Sequence, residues 1–258
     1  MRGMSPSISV VVPSYNDAEM LKQCLTALDA QTRPADEVVV VDNGSTDATV
    51  DVALAHGARV VTESKRGIPQ ATSAGLDAAT GDVIGRLDAD SVPRADWVER
   101  VAAAFARDPQ LEALSGPGEF YGGPAALHWF AESVQMPLYT RIVAFLLGHD
   151  VLFGSNLAIR ADTWRELRHY VHRDDAGVHD DLDFTLNLVP GTKVRFDRSL
   201  IVGVSARPYQ DWARYSKGFR VAMSTFALNH REESLLERRR QWLATRHGED
   251  GDPIRAMR

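Results

Sequence analysis

Hydrophobic residues in the first third of the chain come in unbroken blocks rather than in alternation. Ile8-Ser9-Val10-Val11-Val12 stops at Pro13, Glu37-Val38-Val39-Val40-Val41 stops at Asp42, and Val83-Ile84-Gly85-Arg86-Leu87 stops at Asp88. Blocks this rich in β-branched residues fit strands covered on both faces, as in a parallel sheet. Between them the apolar period becomes helical. Ala18, Leu21, Leu25 and Leu28 recur along Asp17 to Gln31, with Cys24 on the same stripe. Thr49 to His56 reads as a second helix behind the turn Gly44-Ser45-Thr46-Asp47. Arg59-Val60-Val61-Thr62 adds a strand, and Gly67 to Ala79 is a helix that starts near Pro69 and ends at Gly81. This β-α-β-α-β-α-β order predicts an α/β fold with a doubly wound, mostly parallel sheet.

The later chain predicts a helix over Trp97 to Arg107, one strand over Leu111 to Phe120, and one or two helices from Pro124 to Leu147 with a break near Pro137. Gly154-Ser155-Asn156 turns into a strand ending at Arg160, followed by helices over Ala161 to Val171 and Asp180 to Leu188. Val194 to Val204 holds one or two strands, and Tyr209 to Asn229 is an amphipathic helix broken or bent around Gly218. No repeat or long linker interrupts the chain. The expectation is one domain over 1–230, with halves of about 1–115 and 116–230, and a charged helix or tail over 231–258.

Composition narrows the classes. With 258 residues, 44% hydrophobic and 25% charged, the chain has material for a sizeable core. A net charge of -6 opposes a general nucleic-acid surface. The single Cys24 excludes an internal disulfide. Met1 to Ser9 lacks the apolar core of a signal peptide, and no apolar run approaches the ~20 residues of a membrane span. The expected location is cytoplasmic, with peripheral contact at the inner face of a membrane left open.

Chemistry concentrates at strand ends. Ligands of doubly wound sheets bind beyond the carboxyl ends of the strands, where Pro13-Ser14-Tyr15-Asn16, Asp42-Asn43-Gly44-Ser45 and Asp88-Ala89-Asp90 all stand. Two carboxylates one residue apart can grip a divalent cation. Mg²⁺ and Mn²⁺ take oxygen ligands and share them with substrate phosphates, which makes a nucleotide diphosphate the first candidate ligand. A solvated Asp pair opening a loop is the competing reading.

Taken together, the motifs resemble the inverting family 2 glycosyltransferases of the GT-A fold. Val12-Pro13-Ser14-Tyr15-Asn16 resembles the opening V-P-x-Y-N, and Val41 to Asp47 resembles V-D-D-G-S-T-D with Asn43 in place of the second Asp. Gly67, Ala71, Gly75, Ala79, Gly81 and Asp82 keep the frame of a later motif, Asp88-Ala89-Asp90 is its D-x-D, and His179-Asp180-Asp181 takes the place of x-E-D. The resemblance runs from Ile8 to about Asn229.

What the resemblance implies is specific. Pro13, Tyr15 and Asp42 would line the base pocket of a UDP- or GDP-sugar. Lys65 and Gly67, with Asp88, Ala89 and Asp90, would complete the donor site. Asp90 would ligate Mn²⁺ or Mg²⁺, and Asp88 would assist the metal or meet the ribose. Asp181 would be the catalytic base, with Asp180 beside it to orient or cap. The acceptor would be a sugar, a lipid-linked sugar or a small molecule. Two departures stand out: the family's Arg-Asn becomes Thr72-Ser73, and Gln210-Asp211-Trp212-Ala213-Arg214 does not match the Q-x-x-R-W of processive synthases. Single transfer is therefore expected. Lys65 or Arg66 would replace the missing Arg, and Arg207 is a candidate for the diphosphate. A retaining enzyme, a nucleotidyltransferase and a non-catalytic sugar-nucleotide-binding protein remain open alternatives.

Overall fold

The structure, a computed structural model, describes residues 5–247. Strand β1 (Ile8–Ser14) is followed by α1 (Ala18–Asp29), β2 (Glu37–Asp42), α2 (Thr49–Ala55), β3 (Arg59–Thr62), α3 (Ile68–Ala78) and β4 (Val83–Arg86). A short β5 (Ser91–Pro93), which the apolar pattern does not announce, precedes α4 (Trp97–Arg107). Then come β6 (Ala113–Ser115), β7 (Gly118–Tyr121), α5 (Ala125–Phe130), α6 (Met136–Leu147), β8 (Leu157–Arg160), α7 (Ala161–Leu167) and α8 (Asp180–Asn187). The chain ends with β9 (Val194–Phe196), β10 (Val202–Ser205), α9 (Arg207–Gln210), α10 (Trp212–Glu232) and α11 (Leu235–His247). The expected tail is thus helical through His247, and its remainder lies outside the described residues.

A seven-stranded sheet has the order β3-β2-β1-β4-β8-β6-β9. It is parallel except at β8, which runs antiparallel to β4 and β6. The chain moves outward from β1 to β3, then returns to place β4 on the other side of β1. That reversal is the switch point where such sheets leave a crevice. The blocks of valine are covered on both faces, as predicted: Val10 and Val12 pack on one side with α1 and α4, and Val11 on the other with α3.

Two elements depart from their sequence expectation. The strand expected over Leu111 to Phe120 is split at Gly116-Pro117, and its second half joins a small sheet of order β5-β10-β7. Pro117 has no N–H to continue a ladder. The break expected near Pro137 is a π-helical turn, Ala131–Gln135, that joins α5 to α6 without interrupting the helix. A π turn relieves the backbone where proline removes a hydrogen bond. Gly218 does not end α10.

Helix α3 lies close on the sheet because Gly75 has no side chain. A Cβ there would stand 2.3 Å from Val11 Cγ1 and 2.7 Å from Val41 Cγ2. This approach brings Thr72 of α3 to Asp180 of α8.

Candidate active site

The three strand-end segments converge at the switch point because β1 is hydrogen-bonded to both β2 and β4. Asp42 ends β2. Its Oδ1 accepts the Ser45 N–H at 2.9 Å, and Oδ2 accepts no hydrogen bond among the described residues. Tyr15 follows β1 and is 44% exposed. The Arg66 guanidinium lies over the Tyr15 ring, 3.1 Å from its centroid, while Nη1 donates to the Asn43 carbonyl at 3.2 Å. Lys65 turns the other way and pairs with Asp174 on the surface at 2.8 Å. Of the two candidate replacements for the missing Arg, Arg66 is thus beside Tyr15 and Lys65 is not.

Asn43 has its own reason to differ from aspartate. Its amide donates to the carbonyls of Glu63 and Lys65 at 2.8 and 2.7 Å, and its oxygen accepts the Gly67 N–H at 2.9 Å. A carboxylate cannot make those donations. Asn43 therefore fixes the loop that carries Lys65, Arg66 and Gly67.

Asp88-Ala89-Asp90 follows β4. Asp88 Oδ1 meets Arg86 Nη1 at 2.8 Å, and its other oxygen accepts a short hydrogen bond from Ser155 Oγ. Asp90 Oδ2 meets Arg207 Nη2 at 3.0 Å, and Arg207 forks onto both oxygens of Asp17 at 2.9 and 2.6 Å. The Asp90 carbonyl accepts the Tyr121 hydroxyl at 2.7 Å. Burial, and after it the charge of Asp88, raises the Asp90 carboxyl to about 6 against the pull of Arg207. Each carboxylate of the pair is thus met by an arginine, and burial still outweighs that pairing at Asp90.

Across the crevice, α8 opens with Asp180 and Asp181, both buried. Acidic residues in a first turn suit the helix dipole, but these two have further partners. Asp180 Oδ2 accepts from Thr72 Oγ1 at 2.8 Å and from Arg86 Nη2 at 3.1 Å. Asp181 Oδ2 accepts the Gly154 N–H at 2.6 Å, and Oδ1 stands 2.6 Å from His179 Nδ1. A Cβ on Gly154 would lie 2.5 Å from Arg86 Nη1 and 2.9 Å from Asp181 Oδ2, so only glycine fits between them.

The electrostatics of this pair are opposed. Burial would raise the Asp181 carboxyl, but the charge and hydrogen bond of His179, the Gly154 N–H and the Arg86 charge together lower it to about 2. The charge of Asp181 raises His179 to about 9 against the effect of burial. His179, Asp180 and Asp181 each bring a ligand atom within 4.8 Å of the others, a second grouping able to hold a metal besides Asp88 and Asp90. Its two carboxylates are already engaged by Arg86, Thr72, Gly154 and His179.

The Glycosyl transferase family 2 model matches residues 9–167, more than half of the chain. The chain belongs to glycosyl transferase family 2. Among family relatives, it is 32% identical over 137 residues to Glycosyltransferase AglE of Haloferax volcanii, covering 49% of this chain and 45% of AglE. It is 38% identical over 119 residues to a PGL/p-HBAD biosynthesis glycosyltransferase of Mycobacterium bovis, covering 43% of this chain and 46% of that one. The chain spans about half the length of the curated relatives it matches.

Solved structures share the GT-A fold. Glucosyl-3-phosphoglycerate synthase from Mycobacterium tuberculosis, in complex with Mn²⁺ and UDP-glucose, superposes with a TM-score of 0.62 at 21% identity over 90% of this chain and 79% of that one. Mannosyltransferase PcManGT from Pyrobaculum calidifontis, in complex with GDP-mannose and Mn²⁺, gives 0.60 at 19% identity over 98% and 78%.

Several residues at this family 2 site escaped the sequence reading. Asp17 enters there only as the start of a helix, and Ser155 only as part of the Gly154-Ser155-Asn156 turn. Arg86 carried a signal, since a charge inside the apolar run Val83 to Leu87 must find partners when buried. His179 stands next to Asp180-Asp181 in the sequence, and the fold sets its ring against Asp181.

Proposed function

We propose that this chain is a metal-dependent inverting glycosyltransferase that moves one sugar from a nucleotide-diphosphate sugar to an acceptor hydroxyl, without processive addition. The observation that carries the reading is the Gly154 and Arg86 junction, which sets the Asp181 carboxylate against the Asp88-Ala89-Asp90 strand end. Family membership supports glycosyl transfer, and the fold neighbours solved with UDP-glucose or GDP-mannose and Mn²⁺ support the donor class and the cation.

Pro13, Tyr15 and Asp42 receive the base: the Tyr15 ring offers a stacking face, and Asp42 Oδ2 is free to accept a ring N–H of uracil or guanine. Asp90, assisted by Asp88, is the site for Mn²⁺ or Mg²⁺, and its raised proton affinity fits a carboxylate awaiting a cation. A bound cation offsets the charge of the departing nucleotide diphosphate. Asp181 accepts the acceptor hydroxyl's proton while that oxygen forms its bond to the anomeric carbon. The bond from that carbon to the diphosphate breaks, and the electron pair leaves with the nucleotide. Attack opposite the leaving group inverts the anomeric centre, the same carboxylate logic as an inverting glycosidase with the acceptor in place of water. Asp180, fixed by Arg86 and Thr72, orients α8. Residues 1–115 form the donor half and 116–230 the acceptor half.

A panel of UDP-, GDP- and dTDP-sugars, screened for Mn²⁺-dependent thermal stabilisation, tests the donor class. A ligand at a hundred times its dissociation constant adds roughly 2.7 kcal/mol. Product anomericity by NMR tests inversion, and a product that keeps the donor's configuration overturns it. A panel in which no nucleotide sugar stabilises the chain overturns the reading as a whole.

A further inference from the structure

The helix formed by α5, its π turn and α6 has two unlike sides. Val143 and Leu147 are buried in a cluster with Leu182 and Leu186 of α8, the helix that opens with Asp181. Tyr139 packs on the same cluster, and burial followed by the charge of Asp181 raises its phenol. The other side exposes Trp129, Phe130, Val134, Leu138, Ile142 and Phe145, with Trp129 65% and Phe145 68% exposed. From Trp129 to Phe145 the stripe runs roughly 24 Å at helical rise. Soluble proteins rarely leave so long an apolar surface without a partner.

Charge identifies the partner. The whole chain carries 29 Lys and Arg against 35 Asp and Glu, yet residues 207–247 carry nine against four. Helix α6 has Arg141 and no carboxylate, and the Arg239 guanidinium lies 4.5 Å from the Phe145 ring centroid. Helix α10 packs on the same cluster through Ala222 and Phe226 and exposes Phe219 and Met223 beside Lys217 and Arg220. Among the described residues Arg141 and Lys217 make no ion pair. Exposed apolar side chains with unpaired cations beside them are the makeup of a helix that lies in a membrane interface. No helix among the described residues is long and apolar enough to cross a membrane, so such a helix lies on the surface. A symmetric second copy docked through the same stripe would gather like-charged Arg141 and Arg239 groups with no carboxylate of α6 between them.

We propose that the stripe from Trp129 to Phe145, with Arg141 and the cations of α10, seats this chain on an anionic lipid bilayer. The inner side of the seated helix packs on Leu182 and Leu186 of α8, the helix that opens with Asp181, so a lipid-linked acceptor sugar held at the headgroup level is the substrate class brought nearest to Asp181. That choice of acceptor rests on the proposed glycosyl transfer; the docking surface does not.

Co-sedimentation with vesicles tests the docking without any sugar nucleotide. Vesicles of phosphatidylcholine with phosphatidylglycerol should pellet the chain, vesicles of phosphatidylcholine alone should pellet much less, and added salt should release it. The triple variant Leu138→Ser, Ile142→Ser, Phe145→Ser should lower the bound fraction about tenfold or more, and Arg141→Glu should lower it on the anionic vesicles. Brominated lipid should quench tryptophan emission in the wild type and much less in Trp129→Phe. These side chains are exposed, so unchanged thermal midpoints serve as the folding control. The proposal is overturned if the wild type stays in the supernatant or the triple variant pellets equally. It is also overturned if light scattering finds a dimer that the triple variant abolishes, which would make the stripe a contact between copies. A chain that pellets but transfers no sugar refutes the transferase reading alone.

Discussion

Arg86 donates to Asp180 Oδ2 at 3.1 Å and meets Asp88 Oδ1 at 2.8 Å, so one guanidinium, 3% exposed, joins the strand-end motif to the first turn of α8. Desolvation alone would make so buried a cation costly; the charges of Asp88, Asp180, Asp181 and Asp90 hold its proton in place.

Arg86→Met should therefore unfold the chain at lower denaturant. Removing one member of a buried ion cluster leaves the others uncompensated, and the loss is about 3–5 kcal/mol. Urea denaturation of the two proteins is the measurement. A change under about 1 kcal/mol would mean that water already compensates Asp180.

Asp181→Asn preserves shape and removes the proton acceptor. Single-turnover rates should fall by about 10²–10⁴, with donor affinity kept. Asp180→Asn should cost less in turnover and show its effect in stability, because its oxygen is committed to Thr72 and Arg86. Near-normal turnover in Asp181→Asn would remove it as the base.

Asp90→Ala should weaken nucleotide diphosphate binding in the presence of Mn²⁺ and leave the metal-free affinity little changed. Isothermal titration with UDP and GDP, with and without the ion, reads this directly. Equal affinities under all conditions would show that the Asp88 and Asp90 pair does not hold the cation.

His179→Gln tests the neighbour of Asp181 through pH. A histidine raised to about 9 in the folded chain favours folding fully below its ordinary value of about 6.5. That contribution fades as pH rises through 9. The wild-type advantage in thermal midpoint over His179→Gln should thus be largest near pH 6 and shrink toward pH 9.5. The same variant should move the acidic limb of kcat/KM to higher pH, since the Asp181 carboxyl loses the cation that holds it down. A midpoint difference that stays constant across this range would show that His179 carries no charge beside Asp181.

Most of the α/β half was legible because its signals are local. The strand over Arg59 to Thr62 and the helix over Trp97 to Arg107 fall on the expected residues, since runs of valine and a clean apolar stripe leave few alternatives. Leu111 to Phe120 was misread as one strand because Ser115 and Gly118 take partners in different sheets, far along the chain at Phe196 and Val202. The order of β8 between β4 and β6 is likewise a long-range choice with no local mark. At the site, strand-end carboxylates could be named from spacing. Of their cations, Arg207 could be named only as a candidate for the diphosphate; that it reaches Asp17 and Asp90 from the far end of the chain is a long-range contact with no local mark.

Gly75 has a bearing on chemistry that it never touches. Its missing side chain sets the height of α3 above the sheet, and Thr72, one turn earlier, is the residue that meets Asp180. Adding one methyl at Gly75 would lift the helix from Val11 and Val41 and draw the Thr72 hydroxyl away from α8. The placement of the α8 carboxylates is thus set by the thickness of a packing layer, and a substitution with no polar atom can shift them from one turn away along that helix.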